Sequence, residues 1–210
     1  MVILALLKFW VIQMNQDELI NMIKIVRDIP FRFTKYRDYS YLFRDNYGSC
    51  TAKHVLLYKL LSHYRIETKL LYMSFKYDKN ILKFHDISYY FEPDSIYPHT
   101  MIQLYWNNNW YFIDITFDQW IYTIAPVNND FLAPHRIKYI GKPVLFAEFS
   151  GEDRSKALGI PQNSNFSKKE KTRELEKVNS FLEHIRNENQ NDIKSNFLKL
   201  KFLARRANVY

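Results

Sequence analysis

Cysteine and glycine are scarce in this sequence of 210 residues, which contains one cysteine and four glycines. A single cysteine excludes an internal disulfide, so the sequence carries no sign of an oxidising compartment and we expect a cytoplasmic protein. Glycine-rich phosphate loops are missing, which argues against nucleotide binding. The cysteine and the scattered histidines also lack the spacing of metal ligands. We therefore predict no metal and no cofactor.

Positive charge is in excess, with 30 Lys and Arg against 22 Asp and Glu and a formal net charge of +8. No helix-turn-helix pattern, zinc-finger spacing or aromatic RNA-binding motif accompanies this charge, so no specific interaction with nucleic acid is predicted. A basic surface attracts anions in general. Part of the excess positive charge lies in the C-terminal tail (Lys168-Lys169, Lys199, Lys201 and Arg205-Arg206). An anionic partner that binds this tail is one expectation.

The first twelve residues, MVILALLKFWVI, are strongly apolar. This run is too short to span a bilayer, and Lys8 lies inside it rather than ahead of it. Three interpretations stay open: a core or interfacial helix, a poor signal sequence, or a misassigned start with Met14 as the initiator. We favour the first or the last, and membrane contact through residues 1–12 is left open.

Composition divides the chain into two parts. Hydrophobic residues make up 47% of the sequence, enough for one compact domain with a sizeable core. From about Ser150 the sequence becomes polar and then helical in pattern, so we assign a domain to residues 1–149 and a basic helical extension to residues 150–210. A narrow apolar stripe in the extension predicts a helix packed on the main domain or on a partner (Val178, Phe181, Leu182 and Ile185).

Periodicity predicts the main elements of the first domain. Gln16 to Arg27 and Cys50 to Tyr64 have apolar residues at helical spacing, and Ile66 to Phe75 has the composition of a strand. Two further strands begin at His99 and Trp110, and the asparagines between them favour a hairpin turn. Three other segments lack a clean period. Residues 31–46 are predicted as loop and residues 76–98 as irregular chain. Residues 120–149 are predicted to form long loops with one or two strands.

The cysteine lies where a helix is predicted to start. Ser49 is a good N-cap residue, so Cys50 falls in the first turn. Free backbone N–H groups and the positive end of the helix dipole favour a thiolate there, and the same donors suit an oxyanion. A structural cysteine near a helix cap is the alternative.

A thiol nucleophile needs a base and a group that orients the base. His54 lies one helical turn from Cys50 and on the same face, but no carboxylate is near it in sequence, so we expect it to pack or to face solvent. His99 opens the first arm of the hairpin, and Asp114 lies inside an apolar run in the second arm. A carboxylate in that position is costly unless it is paired or points outward.

Hairpin geometry separates these two cases. If Asn107-Asn108 form a two-residue turn between Trp106 and Asn109, Asp114 lies opposite Met101, and His99 is its diagonal neighbour on the same face. A three-residue loop without a bulge would place the histidine and the carboxylate on opposite faces. A His–Asp hydrogen bond therefore requires the two-residue turn.

The segments GSCTAKHVLLYKLLSHYRIETKLLY and PHTMIQLYWNNNWYFIDIT together resemble the transglutaminase-like (papain-like) superfamily, over roughly residues 29–121. That family places a cysteine at the start of a helix, followed by histidine and aspartate on neighbouring antiparallel strands. The resemblance implies an α+β fold with N-terminal helices, an antiparallel sheet packed on the cysteine helix, and here a helical C-terminal tail. It also implies that Cys50 is the nucleophile, His99 its base and proton donor, and Asp114 the orienting group.

The implied chemistry is acyl transfer or hydrolysis at the amide bonds of a peptide or protein, through a thioester. Peptidase, amidase and crosslinking activities remain alternatives within it. Tyr47 and Thr51 are weak candidates for oxyanion or substrate contacts, as is a residue in 31–46. An arylamine acetyltransferase-like enzyme ranks lower because that family's Arg-Gly-Gly-x-Cys segment is absent. The alternative outside catalysis is a silent binding module with the same core.

Overall fold

A computed structural model describes residues 14–34, 37–77, 96–123, 125, 127–132, 141–149 and 168–210. Residues 73–77, 96–98, 141–149 and 168–174 are described by their backbone only. The predictions made for residues 1–13 lie outside the described residues. Within the described ranges, no helix combines the length and the apolar character needed to cross a membrane.

The described chain is a mixed α+β fold, as predicted. Its helices and strands follow in the order α1 (Gln16–Arg27), α2 (Ser40–Asp45), α3 (Cys50–His63), β1 (Thr68–Tyr77), β2 (Ile96–Trp106), β3 (Asn109–Ile113), a 3₁₀ turn (Gln119–Ile121), β4 (Gly141–Phe149), α4 (Lys168–Arg186), a second 3₁₀ turn (Asn187–Asn189) and α5 (Gln190–Arg206).

Two helices begin where local chemistry predicts. At α1, Asn15 accepts a hydrogen bond from the Glu18 backbone, and the Glu18 carboxylate accepts one from the Asn15 backbone. This capping box satisfies two donors that helix geometry leaves unpaired. At α3, Ser49 accepts from the Ala52 backbone, so Cys50 is the first helical residue, as predicted.

The four strands form one antiparallel sheet in the order β3-β2-β1-β4. In the hairpin between β2 and β3, Trp106 pairs with Asn109 across Asn107 and Asn108, whose φ angles are 47° and 63°. Asparagine tolerates this left-handed conformation, which matches the twist of the strands. The predicted two-residue turn and its register are confirmed.

The prediction for two segments is corrected. The segment 31–46 was expected to be loop, but it contains α2, which buries Leu42 and Phe43 against the core. The expected irregular segment 76–98 is strand at both ends, because β1 continues to Tyr77 and β2 begins at Ile96. Residues 78–95 between them lie outside the described part.

The C-terminal helices share the hydrophobic core of the preceding chain. One face of α5 is buried in the cluster that also contains α1, α3 and the sheet (Ile193, Phe197, Leu200 and Ala204). Asn196 donates a hydrogen bond to the Ile25 carbonyl at 2.9 Å. Val178 and Leu182 of α4 are buried against Phe31 and Phe117, whereas Phe181 is 44% exposed. The apolar stripe therefore packs on the same body, and the anionic partner of the tail stays a prediction.

Candidate active site

Cys50, at the start of α3, lies against strand β2. Its Sγ lies 3.2 Å from Nδ1 of His99 on β2, although the two residues are 49 positions apart. The side chain is half-buried, whereas His99 is 4% exposed. The thiol form also has an acceptor, since Sγ lies 3.3 Å from the Thr100 carbonyl oxygen. Helix α3 thus brings the sulfur against the part of β2 that contains His99 and Thr100.

The other nitrogen of His99 is held by Asp114. Nε2 donates to Oδ2 at 2.9 Å, and both residues are buried. The second carboxylate oxygen, Oδ1, accepts from the Thr116 backbone at 2.9 Å and from the Thr116 hydroxyl at 2.6 Å. Three donors therefore compensate the burial of the carboxylate. The predicted His–Asp hydrogen bond is present, and Cys50, His99 and Asp114 lie together.

The electrostatics of this cluster favour an ion pair between sulfur and imidazole. Burial alone would raise the pKa of the Cys50 thiol, but the charge of His99 and the contacts of both neighbouring histidines hold it well below its ordinary value. Burial opposes charge on His99 as well, yet the negative charges of Cys50 and Asp114 raise its pKa well above the ordinary value. Burial would raise the pKa of Asp114, and His99 and Thr116 instead lower it.

A second histidine, His54, belongs to the same cluster. The prediction that it would pack or face solvent is half right, since it is fully buried. Its Nδ1 lies 2.8 Å from the Cys50 carbonyl oxygen and 3.7 Å from Cys50 Sγ. Its Nε2 accepts from the Ile115 backbone at 3.0 Å and lies 3.7 Å from Asp114 Oδ1. The spacing of four residues between Cys50 and His54 on one helix was the sequence signal for their contact. The carboxylate near His54 is Asp114, which follows β3 and is distant in sequence.

A buried lysine supports the segment that carries Asp114. Lys53 is fully buried on α3 and donates to the carbonyl oxygens of Arg27 at 2.6 Å and Thr116 at 3.0 Å. Burial lowers its pKa to about 8, against the opposing charges of Asp118 and Asp28. Its place between the buried positions Ala52 and Leu56 of α3 was a signal that the sequence interpretation missed.

The segment after Asp114 is also tied to α4. Arg186 donates to both carboxylate oxygens of Asp118, at 3.1 and 2.7 Å, and to the Phe31 carbonyl at 2.8 Å. Asp118 in turn accepts from the Phe31 backbone at 2.7 Å. Phe31 pairs with Gly48 in an isolated bridge just before the N-cap of α3. The C-terminal extension thus braces both chain segments that flank the cluster.

The two weak candidates for oxyanion or substrate contacts are engaged elsewhere. The Thr51 side chain is buried, and its hydroxyl lies 3.0 Å from the Thr100 hydroxyl. The Tyr47 ring lies under the Arg32 guanidinium, whose carbon is 4.6 Å from the ring centre. Neither side chain has a described contact with Cys50. The backbone N–H groups in the first turn of α3, which have no acceptor within the helix, are the remaining donors on the element that carries the sulfur.

Among the residues that the structure describes, no group of three or more His, Cys, Asp or Glu side chains is arranged to hold a metal ion. The cluster around Cys50 is instead a set of proton donors and acceptors that can ionise a thiol and move a proton. Compared with protein families, curated proteins and solved structures, the chain matches none.

Proposed function

We propose that the protein is a cysteine-dependent hydrolase or acyltransferase that acts on amide bonds through a thioester, with a transglutaminase-like (papain-like) core. One observation carries this proposal: Cys50 Sγ, the His99 ring and the Asp114 carboxylate form a continuous relay with contacts of 3.2 and 2.9 Å. The charges described above support a reactive thiolate, which is the nucleophilic form of cysteine.

In the first half-reaction, the Cys50 thiolate attacks the carbonyl carbon of the amide, and the carbonyl electrons move to oxygen. When the carbon–nitrogen bond breaks, the His99 imidazolium gives its Nδ1 proton to the leaving amine, so a thioester and a neutral imidazole remain. Asp114 holds Nε2 and keeps Nδ1 directed at the sulfur. In the second half-reaction, His99 takes a proton at Nδ1 from water or an amine as that nucleophile attacks the thioester carbon. The carbon–sulfur bond then breaks, which releases the acid or the new amide and restores the Cys50 thiolate beside the His99 imidazolium.

The developing oxyanion needs hydrogen-bond donors. The first intrahelical bond of α3 is donated by the Lys53 backbone to Ser49 at 3.1 Å, so the N–H groups of Cys50 and Thr51 precede it. Such N–H groups have no acceptor within the helix. They lie in the same turn as the sulfur, where a donor stabilises charge that appears during attack.

The test is the pH dependence of Cys50 alkylation by iodoacetamide. Because the chain has one cysteine, all thiol labelling reports on this residue. We expect the folded protein to react at pH 5–6 much faster than the urea-unfolded chain, whose thiol has an ordinary pKa near 8.5. His99→Asn should abolish this advantage. His63→Asn, an exposed histidine on the same helix, is the matched control and should retain it.

A second measurement separates an enzyme from a silent binding module. Incubation with activated esters and peptide anilides should yield a covalent acyl adduct, seen by intact-mass spectrometry and removed by hydroxylamine. Cys50→Ser should give no thioester. If folded and unfolded chains label identically from pH 5 to 9 and no adduct forms, the catalytic proposal is wrong and the binding module replaces it.

A further inference from the structure

His54 contacts the relay without being part of it. The ring is completely buried, so each of its nitrogens must find a partner within the protein. Nδ1 faces the Cys50 carbonyl oxygen, with Cys50 Sγ further away, and Nε2 faces the Ile115 backbone N–H. The ring therefore spans from the helix turn that carries the nucleophile to the chain that follows Asp114.

These partners determine which nitrogen carries the proton. A backbone N–H can only donate, so the bond from Ile115 requires an unprotonated Nε2 with a free lone pair. A carbonyl oxygen can only accept, so the 2.8 Å contact with Cys50 requires a hydrogen on Nδ1. Both conditions are met by one form of the side chain, the neutral tautomer with its hydrogen on Nδ1. The doubly protonated ring would place its Nε2 hydrogen against the Ile115 hydrogen.

We propose that His54 is a positioning residue, fixed as the neutral Nδ1–H tautomer, which clamps the Asp114–Ile115 backbone to the first turn of α3 and presents an N–H to the Cys50 sulfur. It does not act as a second base, because its only lone pair in the ring plane is used by Ile115. The two histidines therefore have different roles. His99 exchanges protons, and His54 keeps the sulfur and the carboxylate in place. The part of this inference that concerns catalysis rests on the proposed function.

The tautomer can be measured without any activity. Long-range ¹H–¹⁵N correlation spectra of ¹⁵N-histidine-labelled protein distinguish protonated from unprotonated ring nitrogens. We expect His54 to show a protonated Nδ1 and an unprotonated Nε2 at neutral pH, the form that its contacts with the Cys50 carbonyl and the Ile115 backbone require. The charged groups that face His54 are Cys50 on its own helix, His99 on β2 and Asp114 after β3, so the spectra are repeated with Cys50→Ser. An Nε2–H tautomer, or a doubly protonated ring, would overturn the assignment.

The positioning role is tested by two substitutions at His54. His54→Phe keeps the ring shape without its hydrogen bonds, and His54→Gln keeps an amide oxygen that can accept from Ile115. For His54→Phe we expect the midpoint of the alkylation profile of Cys50 to move to higher pH and the rate at pH 6 to fall about three- to tenfold. His54→Gln should recover most of the rate. Circular dichroism and thermal melts identify variants that fail to fold.

The outcomes distinguish this inference from the proposed function. A folded His54→Phe with the wild-type midpoint would refute the positioning role, whatever the enzyme does. If wild-type Cys50 shows no enhanced reactivity, the catalytic proposal fails, while the spectra still decide the tautomer. If His54→Phe removes reactivity as completely as His99→Asn and the spectra show an Nε2–H or doubly protonated ring, His54 is a second base and the inference is wrong.

Discussion

Replacing Lys53 with methionine tests how the protein tolerates a buried cation beneath the candidate site. The two side chains have similar length, so the substitution removes the charge and both hydrogen bonds while largely preserving volume. Lys53 is fully buried and its pKa is lowered from 10.5 to about 8. The folded state therefore disfavours the charged form, and the charge, taken by itself, opposes folding at every pH where Lys53 is protonated.

The magnitude follows from the pKa difference. A shift of this size corresponds to about 3 kcal/mol of destabilisation at pH 7, where folded and unfolded Lys53 are both protonated. As pH rises from 8 towards 10.5, the folded protein releases the proton first, the unfolded chain binds more protons, and stability increases. Between pH 7 and pH 10, the wild type should regain roughly 2–3 kcal/mol that the methionine variant has no group to regain.

The hydrogen bonds act in the opposite direction. Methionine leaves the buried Arg27 and Thr116 carbonyls without this donor, at a cost of about 1–3 kcal/mol each. At pH 7 the loss of the charge offsets most of this cost, so Lys53→Met should be only about 1 kcal/mol less stable than the wild type. At pH 10 the difference should be about 3–4 kcal/mol, because the wild type has gained stability and the variant has not.

The assay is urea unfolding followed by tryptophan fluorescence, with wild type and variant compared at pH 7, 8, 9 and 10. The exposed Lys194 provides the control: Lys194→Met should give a difference that is constant across the same range. The reasoning on Lys53 is refuted if the stability curves of wild type and Lys53→Met remain parallel from pH 7 to pH 10.

Substitutions at three further places test a close packing contact, the hairpin turn and a buried ion pair, each measured by urea unfolding. Gly48→Ala places a Cβ against the buried Leu42 side chain and should cost about 1–3 kcal/mol; an unchanged midpoint would contradict this close approach. Alanine at both positions of the Asn107-Asn108 turn should cost about 1–2 kcal/mol per residue, whereas Gly-Gly should cost less than Ala-Ala, and the reverse order would argue against the left-handed turn. Arg186→Gln leaves the buried Asp118 carboxylate without its cation and should lower the free energy of unfolding by about 3–5 kcal/mol. A decrease below about 1 kcal/mol would show that α4 does not depend on this ion pair.

Acid titration gives a fifth test, at Asp114. Because its pKa is lower in the folded state than the ordinary 3.8, the ionised carboxylate stabilises the fold above that value, and this contribution is lost as pH falls below it. Asp114→Asn should therefore be less stable than the wild type at pH 6, with a difference that narrows towards pH 2. A difference that stays constant over this range would contradict the depressed pKa.

Local chemistry accounts for the features that could be predicted. The boundaries of α1 and the start of α3 depend on side chains within three residues of each helix end, at Asn15 and Ser49. The hairpin register depends on Asn107 and Asn108 and on the alternation of the strands. Since each of these interactions joins residues that are close in the chain, the residue types alone predicted the helix start at the cysteine. They also set the condition for pairing His99 with Asp114, a two-residue turn, and the family resemblance favoured that pairing.

Long-range packing decides the rest. Whether Cys50 meets His99 depends on how α3 lies on the sheet, and that angle is the result of the whole core, including α5. The same packing brings His54 to Ile115, Lys53 to Thr116 and Arg186 to Asp118, pairs separated by more than sixty residues. No periodicity or cap relates such residues in advance. Residue pattern places the thiol, the imidazole and the carboxylate on their own helix and strands. The packing of those elements selects the buried polar groups around them, because each such group must find its partner in a neighbouring element once water is excluded.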